Sequence, residues 1–103
     1  MFAFKKLEID QWIEEIASMD NALLIDVRSR SEYREGRIPG SINLPLDDLD
    51  SMDEIAEKMD APIFVYCRSG ARSTAAEQEL QDMGYTNVKN IGGIANYTGE
   101  IEK

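Results

Sequence analysis

The chain of 103 residues contains no histidine and a single cysteine, Cys67. One cysteine closes no internal disulfide, and one thiol without imidazole partners assembles no ordinary zinc site, so neither metal catalysis nor any other cofactor is expected. No apolar run approaches the ~20 residues that span a bilayer. Residues 1–10 have neither the long apolar stretch nor the cleavage region of a secretory signal. A reducing, cytoplasmic location without a membrane partner is the expectation. Positive charge is scarce as well: 11 Lys and Arg stand against 20 Asp and Glu, a net charge of -9. That balance argues against nucleic acid as a partner, because such binding depends on neutralising phosphates. Repeats, linkers and low-complexity tracts are missing too. The expectation is one domain, 1–103, burying roughly 60 to 70% of its unfolded surface.

What is present centres on that cysteine. Cys67 follows the apolar run Pro62-Ile63-Phe64-Val65-Tyr66 and opens the loop Cys67-Arg68-Ser69-Gly70-Ala71-Arg72-Ser73, after which a helical pattern begins. Backbone N–H groups of such a loop, together with the free N–H groups of the next helix, form a nest that stabilises an anion at the sulfur and lowers the thiol pKa. The scarce positive charge also concentrates here. Arg68 and Arg72 flank the loop, and Arg28, Arg30, Arg34 and Arg37 share one stretch, so a cationic pocket for a small anion fits on an otherwise acidic protein.

Periodicity predicts the frame around the loop. Ile9, Trp12, Ile13 and Ile16 recur at helical spacing, with Asp10 as the expected cap and the end near Asp20-Asn21. Residues 22–27, continuously apolar up to Asp26, read as a buried strand that delivers Asp26 at its C-terminal end. A short helix over 29–35, stopped by Gly36, and an extended piece over 41–45 follow. Another helix is expected from Asp50 or Ser51, with Ser51 and Glu54 at capping-box spacing and Met52, Ile55, Ala56 and Met59 on its packing face. Beyond the loop, Ala76, Leu80 and Met83 form a helical stripe ending at Gly84, and residues 88–91 suit a last short strand. Strands alternating with helices predict an α/β domain with a small, mostly parallel central sheet flanked by helices, its ligands beyond the strand C-termini.

Several separated segments together resemble the single-domain members of the rhodanese family. They are Leu24-Ile25-Asp26-Val27-Arg28, Glu32-Tyr33, residues 36–45 from Gly36 to Pro45, Val65-Tyr66 with the loop 67–73, and Gly92-Gly93 followed by Tyr97. The resemblance implies a thiosulfate:cyanide-type sulfurtransferase. Cys67 would take the outer sulfur of a small anionic donor such as thiosulfate, carry it as a persulfide and yield it to a thiophilic acceptor. Arg68, Ser69, Gly70, Ala71, Arg72 and Ser73 would cradle the substrate, with Gly70 letting the loop curl. Arg72 can pair with the anionic donor or with a carboxylate, and Arg68 can project to receive the substrate. Asp26 is expected to brace the loop or Arg28 rather than act as a base. Two positions depart from the family pattern: Arg37 stands where histidine is common, and Tyr97 where tryptophan is common. Both keep a supporting character, positive charge in one case and an aromatic wall in the other.

Two other classes compete. A cysteine-dependent phosphatase also uses a cysteine, an arginine and a backbone nest, but places its arginine one residue further along, where this chain has Ser73. The shorter loop suits a single sulfur atom. A persulfide carrier or binding module, loaded by a sulfur-relay protein partner and slow with thiosulfate, needs the same nucleophile and remains open. The acidic surface would offer such a partner a docking face.

Overall fold

The computed structural model describes residues 7–103. Residues 1–6, part of the stretch read above for a secretion signal, lie outside the described residues. The elements in chain order are helix α1 (Ile9–Ala17), strand β1 (Leu23–Asp26), helix α2 (Arg30–Glu35), strand β2 (Ile42–Asn43), a 3-10 segment (Leu46–Glu54), strand β3 (Ile63–Cys67), helix α3 (Ala71–Asp82), strand β4 (Val88–Gly93) and a 3-10 turn (Ile94–Asn96). All four strands run parallel in the order β2-β1-β3-β4, as the alternation of strand and helix patterns predicts.

Parallel strands covered on both faces read as continuous apolar runs, and β3 is buried at every position. One face of the sheet packs Ile25, Val27, Ile63 and Val65 with Leu49, Met52, Ala76 and Leu80. The other packs Leu24, Phe64, Tyr66 and Ile91 with Ile9 and the partly buried Trp12 and Tyr97. The register sets Asp26 beside Tyr66 and Cys67 beside Gly93, so the acid and the thiol emerge from neighbouring strands at one edge of the core. Between Val65 and Tyr66 the pairing with β4 slips by one residue, a bulge at Ile91.

Several local expectations are corrected. The cap of α1 is Glu8 rather than Asp10: the Gln11 side chain accepts from the Glu8 N–H at 2.9 Å. Asp10 instead accepts from the Thr98 N–H and hydroxyl, tying the first helix to the last turn. The helix also ends at Ala17, short of Asp20. Ser51 starts no helix. The chain turns into 3-10 geometry already at Leu46, directly after Pro45, and kinks at Asp48, so Ser51 and Glu54 lie inside one segment instead of capping it. Met59 and Met83, assigned to packing faces, are 51% and 37% exposed. Tyr85, just beyond the Gly84 turn, fills the place expected of Met83. Strand β4 runs on through Gly92 and Gly93 instead of stopping at Ile91.

Candidate active site

Cys67 is the last residue of β3, a central strand, and is almost wholly buried. Gly70, at φ 104°, adopts a backbone conformation that a Cβ disfavours. It turns the chain so that α3 starts at once and its first N–H groups face back toward the strand end. The Gly70 N–H donates to Cys67 Sγ at 3.0 Å, and the Ser73 hydroxyl lies 3.4 Å from the sulfur. Burial alone would push the Cys67 thiol up. The Ser73 hydroxyl and the N–H groups of Ser73, Gly70 and Ser69 outweigh it and hold the pKa below the ordinary thiol value. The cysteine sulfur thus sits in a cradle of donors that favours its charged form over the neutral thiol.

Gly93 forms the floor of the loop. A Cβ placed on it would lie 2.2 Å from the Arg68 carbonyl oxygen and 2.7 Å from Ser69 Cα, so the loop rests directly on the β4 backbone. The same Arg68 carbonyl accepts from the Ala95 N–H at 3.0 Å. The second glycine of a pair that is weak as a signal in sequence is thus a packing requirement of the cysteine loop, while the first, Gly92, is required by its positive φ of 108°.

The arginines divide by partner. Arg28 is held by the fully buried Asp26, with Nη2 to Oδ2 at 2.6 Å, and its Nη2 also donates to the Gly36 carbonyl at 2.7 Å. Asp26 therefore braces Arg28 and, through it, the end of α2. Desolvation opposes the Arg28 charge, but the Asp26 carboxylate more than offsets it and raises the pKa. Arg72 makes a two-pronged pair with Glu32, at 2.8 and 3.0 Å. Arg72 holds Glu32 down, against some desolvation, at a pKa of about 2. Arg37 pairs with Glu102 at 3.0 Å, stacks over Tyr33, and exchanges backbone hydrogen bonds with Glu102. Arg68 has no carboxylate within ion-pair reach among the described residues. It lines a cleft of about 300 Å³ with Arg28, Glu32, Glu35, Ile94 and Ile101. Arg72 borders a second cleft, of about 190 Å³, with Val27, Ser29 and Leu46.

The structure thus brings Asp26, Arg28, Arg68 and Arg72 to the end of the sheet that carries Cys67. Tyr97 packs instead into the Trp12 cluster on one face of the sheet, and Arg37 ties the α2–β2 connection to Glu102. Two residues with defined roles were not singled out as site residues from the sequence. Glu32 serves both as the capping-box acid of α2 and as the partner of Arg72, and its spacing from Ser29 was a visible signal. Asn43 donates to the Asp26 and Arg28 carbonyls at 3.0 Å each, closing the end of β1. Among the described residues, no helix is long and apolar enough to cross a membrane.

Comparison with known proteins gives the same frame. A family model described as rhodanese-like domain matches residues 9–100. The chain is 38% identical over 72 residues to the thiosulfate sulfurtransferase PspE of Escherichia coli, covering 68% of each protein. It is 34% identical over 89 residues to the adenylyltransferase and sulfurtransferase UBA4 of Meyerozyma guilliermondii, a match that covers 79% of this chain but only 21% of that much longer protein. Among solved structures, a rhodanese with anions from E. coli superposes with a TM-score of 0.75 at 31% identity, over 80% of this chain and 98% of that one. A cysteine at the end of a central parallel strand, its loop seated on a glycine floor, and a family match over nearly all described residues agree: the chain belongs to the rhodanese-like family of sulfurtransferases.

Proposed function

We propose that this protein transfers sulfane sulfur through a persulfide on Cys67, with thiosulfate or a related small anion as donor. The observation that carries the reading is the donor set at the sulfur: the Gly70 N–H at 3.0 Å and the Ser73 hydroxyl at 3.4 Å, at the start of α3. In the first half-reaction the Cys67 thiolate attacks the outer sulfur of thiosulfate. A new S–S bond forms, the old one breaks, and its electron pair leaves with sulfite. In the second, a nucleophile such as cyanide takes the terminal sulfur, and the electron pair of the persulfide bond returns to Cys67 as thiolate. The negative charge passes from Sγ in the thiolate to the outer sulfur in the persulfide, one S–S bond away, so the Gly70 and Ser73 donors serve the thiolate and the other N–H groups of the loop are the candidates to serve the persulfide. Arg68, the loop arginine with no ion-pair partner among the described residues, is the natural attractor of an anionic donor; Arg72, committed to Glu32, stiffens the loop. A free thiol works only while reduced, which suits a cytoplasmic setting.

The test is the intact mass of reduced protein after incubation with thiosulfate and removal of the donor, followed by cyanide. Gain of one sulfur atom on the wild type, absent in Cys67→Ala and lost as thiocyanate appears, supports the reading. Absence of any adduct refutes the donor assignment. In that case, loading of Cys67 by a protein persulfide would support a partner-loaded carrier, a reading favoured by the placement of the matching region inside the much longer UBA4 relative. Turnover of an aryl phosphate, abolished by Cys67→Ala, would instead support a phosphatase.

A further inference from the structure

The Ser73 hydroxyl has one proton and three acceptors within reach: Cys67 Sγ at 3.4 Å, the Gly70 carbonyl at 3.1 Å and the Gly92 carbonyl at 3.4 Å. By distance the Gly70 carbonyl is the strongest competitor of the sulfur. That carbonyl already accepts twice from the next residue, from the Thr74 N–H at 3.0 Å and from the Thr74 hydroxyl at 2.7 Å. Two donors fill the two lone pairs of a carbonyl oxygen.

The direction of the Thr74 bond is fixed from outside the loop. The Asn90 side-chain nitrogen, which can only donate, gives a hydrogen bond to Thr74 Oγ1 at 3.0 Å. The Thr74 proton is thereby turned toward Gly70. The Asn90 amide cannot be flipped without loss, because its oxygen accepts from the Gly92 N–H at 3.0 Å, just past the bulge of β4. The Asn90 backbone is held in turn by Glu77 of α3, whose carboxylate accepts from its N–H at 2.7 Å. An ordered chain of donors thus runs from Gly92 through Asn90 and Thr74 to the Gly70 carbonyl.

We infer that Thr74 and Asn90 are positioning residues: by occupying the Gly70 carbonyl they remove the nearest competitor for the Ser73 proton, leaving the Cys67 sulfur and the Gly92 carbonyl, both at 3.4 Å, and so shift that hydroxyl toward the sulfur. Neither side chain hydrogen-bonds the sulfur; they act on it through Ser73. The inference rests on Cys67 being the reactive group, but it holds for any chemistry that uses the thiolate. Other charges around the sulfur are Arg68 in the loop, Arg72 of α3 with its partner Glu32 of α2, and the Asp26–Arg28 pair at the end of β1. None of them changes in the variants below.

The test is the pH dependence of Cys67 alkylation by iodoacetamide, read in the reduced protein without any sulfur donor. Ser73→Ala is expected to raise the apparent thiol pKa by about one unit, and Thr74→Val, which keeps shape but loses the hydroxyl, by about half a unit. Thr74→Ser restores the wild-type value. In a Ser73→Ala background, Thr74→Val is expected to add nothing, which separates steering from a general loosening of the helix. If valine disturbs α3, Thr74→Ala carries the same test with a better helix former. An unshifted profile in Thr74→Val, or an equal shift with and without Ser73, overturns the inference. Either result leaves the thiosulfate-loading experiment, and so the proposed function, to be judged separately.

Discussion

Gly93→Ala tests the seating of the cysteine loop more sharply than any change inside it. The added methyl meets backbone on every side: the Arg68 oxygen at 2.2 Å and its carbonyl carbon and Ser69 Cα at 2.7 Å. No side chain can swing aside, so the loop itself must retreat by about 1 Å to reach an ordinary contact. A retreat of that size stretches the Gly70 N–H contact to Cys67, now 3.0 Å, beyond useful range. Overpacking of this kind costs about 1–3 kcal/mol of stability, and loss of one preorganised donor is worth roughly tenfold or more in rate. The neighbouring glycine supplies the control. At Gly92 nothing lies within 4 Å of an added Cβ, but φ is +108°, so Gly92→Ala pays only backbone strain, about 1–3 kcal/mol. Urea unfolding and thiosulfate:cyanide turnover per folded molecule are the assays. Both variants should lose stability, but Gly93→Ala should lose clearly more kcat/KM than Gly92→Ala. Turnover of folded Gly93→Ala equal to wild type would refute the argument that the floor sets the donor geometry.

Three further outcomes are expected. The Glu32 carboxyl, folded near a pKa of about 2 against an ordinary 4.5, stabilises the fold above pH ~4.5 and loses that contribution as pH falls toward 2. Because Arg72 is 38% exposed and water screens the pair, that contribution is about 1 kcal/mol. Glu32→Gln should flatten unfolding free energy between pH 7 and 2 by that amount, and an unchanged pH dependence would contradict the pairing. Asp26→Asn leaves the buried Arg28 without a counter-charge and should cost about 3 kcal/mol in urea unfolding; a loss under 1 kcal/mol would show that Arg28 finds solvent instead. Arg68→Ala should raise the KM for thiosulfate about fivefold, more than Arg72→Ala does, and weaken its salt dependence. The reverse order in steady-state kinetics would return the donor role to Arg72.

Strand β3 and the cysteine loop were legible in the sequence because their signals are local. A short continuous apolar run followed by a glycine-bearing loop admits few other readings. The acid at the end of β1 was legible for the same reason. Cap positions were not, because Asp10 has the side chain favoured at a cap and Glu8 does not, while in the fold Asp10 is engaged by Thr98, 88 residues away, and Gln11 accepts from the Glu8 N–H. The 3-10 path from Leu46 was hidden by a capping-box spacing at Ser51 and Glu54 that tertiary packing of Leu49 and Met52 overrides. Within the site, the division of labour between Arg68 and Arg72 hinges on Glu32, 40 residues away from Arg72. Ion-pair partners at such separation leave no spacing to read. The glycine floor was visible as two letters, but the reason for the second glycine lies in the approach of a different strand's loop.

Because β3 is hydrogen-bonded to neighbours on both sides and buried along its whole length, Cys67 stands on the most firmly anchored part of the sheet. Its backbone amides belong in the slowest hydrogen-exchange class of the molecule. A cysteine mounted this way is a fixed post, not a swinging arm. On the proposed persulfide route its sulfur cargo extends no further than a single S–S bond, so traffic is confined to the visiting molecules: the donor has to arrive with its sulfur leading, and the receiver has to reach in and collect.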